Sequence, residues 1–295
     1  MTENTNSLTR ATGTEWTKFL KFLTLGAGAG FLLSGIIFFF AYNWSEMHRF
    51  TKMGIVGAIM LACYGGVFLA KKNELVQKIL ITSMSVIVGI MLALYGQIYQ
   101  LEADSYMMFL TWGIAILVWA IVADFYPLWM IVTTLFSVAI IQYFTSKLFF
   151  VSLKGMSCIG PFFLISVVGI FWSLPLIIKD RKPAPAWFMS ILLTATLVWA
   201  FTLVCFDLSS NILVYLVALV MMFFYATREK NIWVYSMFFL GLILLYIRLF
   251  VNERMFHDDG VRFLFLSASI IAALFYITKH LMDKYKEWYK KDGNK

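Results

Sequence analysis

Ten long apolar blocks, separated by short charged connections, limit what this chain can fold into. They run approximately Leu23 to Trp44, Met53 to Ala70, Lys78 to Tyr99, Met107 to Ala123, Tyr126 to Phe144, Ser157 to Ile178, Trp187 to Phe206, Ser210 to Ala226, Asn231 to Phe250 and Val261 to Thr278. A helix needs roughly 20 apolar residues to cross the hydrocarbon core of a bilayer. Backbone groups in lipid must pair with one another, so repeated blocks of this length specify helices. The alternating pattern of an outer-membrane barrel strand is absent. Charged residues make up 14% of the chain, against about 25% in a soluble domain. The expected fold is therefore all-α: a polytopic integral membrane helical bundle of about ten transmembrane helices. Residues 23–279 form its single domain, 1–22 a short N-terminal segment and 280–295 a basic tail. The connection at Asp124 is very short, and a re-entrant turn there would change the helix count. The first block is too long for a cleavable signal peptide and follows a polar stretch, so it reads as a retained helix.

Charge gives the bundle a direction. Lys and Arg concentrate on cytoplasmic connections. Assigning alternate connections to alternate sides puts 17 of the 24 basic residues on one side, from Arg10, Lys18 and Lys21 to the tail beginning at Lys279. The other side holds Arg49, Lys52, Lys147, Lys154, Arg248, Arg254 and Arg262, balanced by an equal number of acids. The whole formal net charge of +8 thus falls on the first side. Both termini are expected in the cytoplasm, with anionic lipids as contacts of that face. Bases spread over five segments fit a topology signal better than a nucleic-acid footprint, and no nucleic-acid partner is expected. The tail from His280 to Lys295, with Tyr285, Trp288 and Tyr289, reads as a continuation of the last helix resting on headgroups. Trp44, Trp129, Trp187 and Trp233 lie near block ends, as interfacial belts require.

The loops leave no room for a soluble domain, so any chemistry must sit in the bundle or at its mouths. Ala70-Lys-Lys-Asn73 and Arg228-Glu-Lys-Asn231 hint at an internal repeat relating 23–123 to 187–279, though chance likeness between apolar segments would give the same signal. Gly26 and Gly30 in the first block read as a close-packing face rather than a nucleotide fingerprint, which needs a strand before it. Cys63, Cys158 and Cys205 all lie in apolar blocks and read as small buried hydrophobes. Asp124 before Pro127, and Asp207 before Ser209, read as helix caps.

The most distinctive stretch is Tyr95-Gly-Gln-Ile-Tyr-Gln-Leu-Glu-Ala-Asp104 at the outer end of the third block. If helical throughout, it puts Gln97, Gln100 and Asp104 on one face, and Tyr95, Tyr99 and Glu102 on the next. Polar groups near hydrocarbon are costly unless partnered. This density means either a ligand or ion vestibule or an interhelical hydrogen-bond network. Two more outer loops share that side. Ala41–Arg49 carries Asn43, Glu46 and His48, and Asn252–Asp259 carries Glu253, Arg254, His257 and Asp258. The candidate vestibule comprises Gln97, Tyr99, Gln100, Glu102, Asp104, Asn43 and His257. The two histidines have no ligand spacing with the nearby acids, so neither a metal nor a cofactor is expected, and salt bridging explains Glu46, Arg49, Glu253 and Arg254. Nucleophile–base pairs and paired mid-membrane acids are missing, so enzymatic activity is not expected.

Phe38-Phe-Phe-Ala-Tyr-Asn-Trp44, then Gly96-Gln-Ile-Tyr-Gln-Leu-Glu-Ala-Asp104 and Phe109-Leu-Thr-Trp112, resemble the bacterial predicted-membrane-protein family called domain of unknown function 2157. The resemblance covers roughly residues 20 to 125. It implies a bacterial inner-membrane location and supplies no activity. The residues themselves suggest a protein that handles a small molecule or ion through a polar vestibule on the outer face. The alternative is a non-transporting scaffold, assembly or sensor subunit, and an intramembrane enzyme has the weakest support.

Overall fold

The computed structural model describes residues 46–99, 104–147, 159–178, 182–252 and 259–289, with isolated positions between 16 and 42. The described residues form nine long helices and no strand. These are α1 (Arg49–Leu69), α2 (Glu74–Tyr99), α3 (Ser105–Ala123), α4 (Tyr126–Lys147), α5 (Ile159–Ile177), α6 (Ala186–Phe206), α7 (Leu208–Arg228), α8 (Ile232–Asn252) and α9 (Asp259–Tyr289). Every one contains a stretch long and apolar enough to cross a membrane. The chain is thus a polytopic helical membrane protein, as the apolar blocks require. The first block, with Gly26 and Gly30, lies mostly outside the described residues.

Two compact units are distinguished, Met1–Leu61 and Ala62–Lys295. Within the first, Arg49 opens α1 with its guanidinium 5.3 Å from the centre of the Phe50 ring.

The second unit is a chain of antiparallel hairpins. α2 and α3 are locked where the Trp112 indole N–H donates to the Ser85 carbonyl at 2.8 Å. Gly89 makes room for that ring, because a Cβ there would run into Trp112. α3 and α4 are the most extensively paired helices. Between them the chain turns at Asp124, which adopts a left-handed conformation (φ 41°, ψ 54°) as the C-cap of α3. The connection is therefore a tight turn between two full helices, and no re-entrant segment forms there. Asp124 thus closes the preceding helix. Asp and Asn tolerate left-handed backbone better than most residues, which lets a single carboxylate residue end α3.

The core sits between α5, α6, α7 and α8. Phe188 is fully buried and meets Tyr126 and Phe171, with ring centres 5.2 and 5.0 Å away. Gly160 opens α5 against the Trp199 ring of α6. Tyr215, also fully buried, donates to the Gly241 carbonyl of α8 at 2.8 Å. Without water, a buried polar group is costly unless it finds a partner inside the protein. Ser85, Thr133, Ser190 and Thr196 each donate to the carbonyl four residues earlier in their own helix. Asn211 donates to the carbonyls of Leu203 and Asp207. Asp207 accepts from the Ser209 amide at 3.2 Å as N-cap of α7, as expected.

Contacts between neighbours assign each helix end to one of two faces of this unit. The basic end holds the junctions α1/α2, α3/α4, α5/α6 and α7/α8 and the C-terminus of α9. There lie Lys71, Lys72, Lys78, Lys182, Arg228, Lys230, Lys279, Lys284 and Lys286. α9 runs antiparallel to α8, tied by Tyr246 to Ser269 at 2.9 Å and Tyr235 to His280 at 3.1 Å. Its last turn docks on the protein. Trp288 is buried against Tyr235, and the Tyr289 hydroxyl donates to the Lys230 carbonyl at 2.8 Å. The tail therefore continues the last helix, as expected, and its end packs on the protein.

The two similar segments near Asn73 and Asn231 share a local cause. Each Asn caps the next helix, with Oδ1 accepting from the amide three residues on, at 3.3 Å for Asn73 and 3.2 Å for Asn231. Asn231 also donates to the Ser190 hydroxyl of α6 at 3.0 Å. Losing a cap costs about 1 kcal/mol and losing a part-buried hydrogen bond about 1 kcal/mol more. Asn231→Ala is expected to lower stability by about 1.5–2 kcal/mol and Asn73→Ala by about 1 kcal/mol or less. Thermal unfolding of the two variants in the same detergent measures the difference. Equal losses would show that the Ser190 bond contributes nothing.

Two side-chain expectations are corrected. Cys205 is exposed and Cys63 only half-buried, so these thiols do not fill the core. Cys158 lies outside the described residues. Trp187 and Trp233 are exposed at helix starts, as a belt residue should be, whereas Trp129 is drawn inward against Phe171 at 5.3 Å.

Candidate functional site

The end of α2 and the start of α3 carry the polar cluster singled out from the sequence. α2 stops at Tyr99 and α3 starts at Ser105. Gln97 therefore lies in the last turn of one helix while Asp104 precedes the next, so Asp104 does not share a helix with Gln97. α3 folds back on α2, which places Trp112 beside Gly89 and Ser85. Gln97 and Tyr99 are exposed. The rings of Tyr95 and Tyr99 lie one turn apart with centres 4.5 Å from each other. Asp104 is half-buried at the N-cap position of α3, its carbonyl accepting from the Met107 amide at 2.9 Å. Gln100, Glu102, Asn43 and His257 lie outside the described residues.

Folding adds partners from α4. The Ser105 hydroxyl donates to Gln142 Oε1 at 3.2 Å, and the rings of Tyr106 and Tyr143 meet edge to face at 5.1 Å. The last turns of α4 thereby join the same rim, opposite the basic end. Sequence reading missed Gln142 and Tyr143. A signal existed, since a Gln-Tyr pair at the end of an apolar block has the same chemistry as Gln97 and Tyr99.

Among the described residues, the rim offers two amides, phenols, a hydroxyl and one carboxylate close to the end of the apolar spans. Amide and phenol groups both donate and accept, and a carboxylate accepts only. Such a set suits a polar neutral molecule or a cation with several donors.

Residues 3–129 match the family model described as predicted membrane protein (DUF2157). This is the family that the stretches at 38–44 and 96–112 resemble. The DUF2157 match takes in α1, α2 and α3 and reaches the first turn of α4. It therefore covers Gln97, Tyr99 and Asp104, whereas Gln142 and Tyr143 lie beyond it. The DUF2157 description names a membrane protein and no activity. No curated protein and no solved structure matches the chain.

Proposed function

We propose that this chain is a multi-pass protein of the bacterial inner membrane, both termini cytoplasmic, that handles a small polar molecule or an ion without acting as an enzyme. Its vestibule comprises Gln97, Tyr99 and Asp104, together with Gln100, Glu102, Asn43 and His257. The observation that carries the reading is the Ser105–Gln142 bond with the Tyr106–Tyr143 contact, which brings a second helix end of like chemistry to the rim. The crowding of Lys and Arg at the opposite end supports the orientation, because basic connections stay in the cytoplasm. Anionic lipids would meet that face.

Orientation is tested with the three native cysteines replaced by alanine. A cysteine at position 142 should react with a membrane-impermeant maleimide in intact cells. One at position 230 should react only after permeabilisation, and the reverse pattern would overturn the assignment. Function is tested in a deletion strain with a growth defect. The double variant Gln97→Ala/Gln142→Ala should lose complementation at unchanged abundance, and full complementation would end the vestibule reading.

A second reading, a scaffold, assembly or sensor subunit, is favoured by α9. None of the most apolar window of its span, Phe263–Tyr289, is buried within the chain, leaving a long face for partner helices. Gentle solubilisation that yields no stoichiometric partner would remove this reading.

A further inference from the structure

An open groove of about 410 Å³ runs along α7, with Trp172 of α5 beside it. Leu216, Val217, Val220, Met221 and Phe224 of α7 complete its walls. Leu216, Val217, Val220 and Phe224 remain exposed. Trp172 is steadied by an edge-to-face contact with Tyr225, ring centres 5.8 Å apart.

The groove leads to a cation. Val217, Val220, Phe224 and Arg228 are spaced by three and four residues, so they share one face of α7. Arg228 is exposed in the last turn of that helix, at the basic end of the bundle. Its guanidinium carbon lies 5.8 Å from the centre of the Trp172 ring. Apart from that ring contact, no hydrogen bond or ion pair engages Arg228 among the described residues. The ring attracts the cation through its face and leaves the planar fork of five N–H donors for a phosphate. From Val217 to Arg228 the helix rises about 16 Å. That is half of the roughly 30 Å hydrocarbon core, the depth of one leaflet. An apolar strip one leaflet long that ends at a guanidinium repeats the order of groups in a phospholipid, chain first and phosphate last.

We propose that this groove is a discrete binding site for an anionic phospholipid. One acyl chain lies along Val217, Val220 and Phe224 against Trp172, and the phosphodiester accepts from Arg228. The choice of an anionic head rests on the charges around that end. In the last turn of α7 and the described parts of the α5/α6 and α7/α8 connections, Lys182, Arg228 and Lys230 outnumber Glu229. Glu229 lines a different and much smaller pocket, with Tyr225 and Pro183, and does not border the groove. The site gives a fixed place to the anionic lipid proposed for the basic face, and so rests on that reading.

Native mass spectrometry of the purified full chain in mild detergent counts bound lipids as phosphatidylglycerol or phosphatidylethanolamine is titrated in. One phosphatidylglycerol should bind more tightly than those that follow, and more tightly than phosphatidylethanolamine. Arg228→Gln should weaken that first binding about ten-fold or more, the worth of a charge-assisted hydrogen bond. Val220→Trp, which fills the groove from an exposed position and keeps Arg228, should weaken it too. Lys72→Gln removes the same charge from another connection of the basic end and should leave it unchanged. Equal weakening by Arg228→Gln and Lys72→Gln would overturn the site, while the general attraction of that face for anionic lipid would stand. Full-strength first binding in Arg228→Gln or in Val220→Trp would overturn the site as well. Equal binding of the two lipids by the wild type would remove the site together with the broader reading.

Discussion

Gly241→Val is expected to destabilise the detergent-solubilised protein by about 3 kcal/mol, the sum of overpacking and a lost buried hydrogen bond. Gly241 faces α6 and α7 from the middle of α8. A Cβ at this position would lie 2.6 Å from Leu219 Cδ2, 3.0 Å from Leu197 Cδ1 and 3.3 Å from the Tyr215 hydroxyl. Both leucines are buried, so neither has open space to move into. Small residues let membrane helices approach closely, and in lipid that close packing is a main source of helix association. Valine would push α8 outward and pull the Gly241 carbonyl off Tyr215, leaving a phenol stranded in the core. Alanine adds the same Cβ without valine's two branches and should cost less, about 1–2 kcal/mol. Gly169 of α5 is the control, because a Cβ there meets nothing within 4 Å. Gly169→Ala should change stability by less than about 0.5 kcal/mol. Thermal unfolding of the three variants decides the matter, and a neutral Gly241→Val would mean that α8 is not held against α6 and α7 as described.

Phe188→Ala is the second large effect, expected at about 2–3 kcal/mol. The ring is wholly enclosed, with Tyr126, Phe171 and Trp187 around it at centre distances of 5.2, 5.0 and 5.9 Å. In a water-soluble core this truncation costs about 3–5 kcal/mol. Part of that is transfer from water, and a membrane protein does not lose it, because lipid solvates the exposed side chain as well as the core does. What remains is the cavity and the lost contact between rings. Phe188→Leu keeps most of the volume and should cost less than about 1.5 kcal/mol. A loss below about 1 kcal/mol for the alanine variant would show that α4, α5 and α6 collapse into the vacated space.

The helices were legible because each apolar block had to be long enough to span a bilayer and the connections had to be charged. The blocks beginning near Tyr126, Trp187 and Asn231 became α4, α6 and α8 within a residue of their expected starts. The apolar run of the last block ends near Thr278, yet the helix continues through Lys279, Asp283 and Lys284 to Tyr289, as the reading of the tail as its continuation expects. There the stabilising contacts are Trp288 on Tyr235 and Tyr289 on Lys230, which no local pattern announces. The cluster around Gln97 stood out in the sequence by its polarity, but the pattern did not show that Asp104 stands at the head of α3 and not on the helix that carries Gln97. Gln142 was invisible as its partner, because residues 105 and 142 are brought together only by the packing of α3 on α4.

By itself, therefore, the sequence determined the solvent of this protein, its helical class and the sidedness of its charge. Those follow from apolar length, backbone hydrogen bonding and the count of Lys and Arg, none of which needs a partner in space. Only the tertiary structure decided which glycines face rings, why Asp124 ends a helix, and that Trp129 turns inward against Phe171. Each depends on where a neighbouring helix lies, and in a membrane every face of every helix is apolar, so the sequence pattern does not say which face meets which.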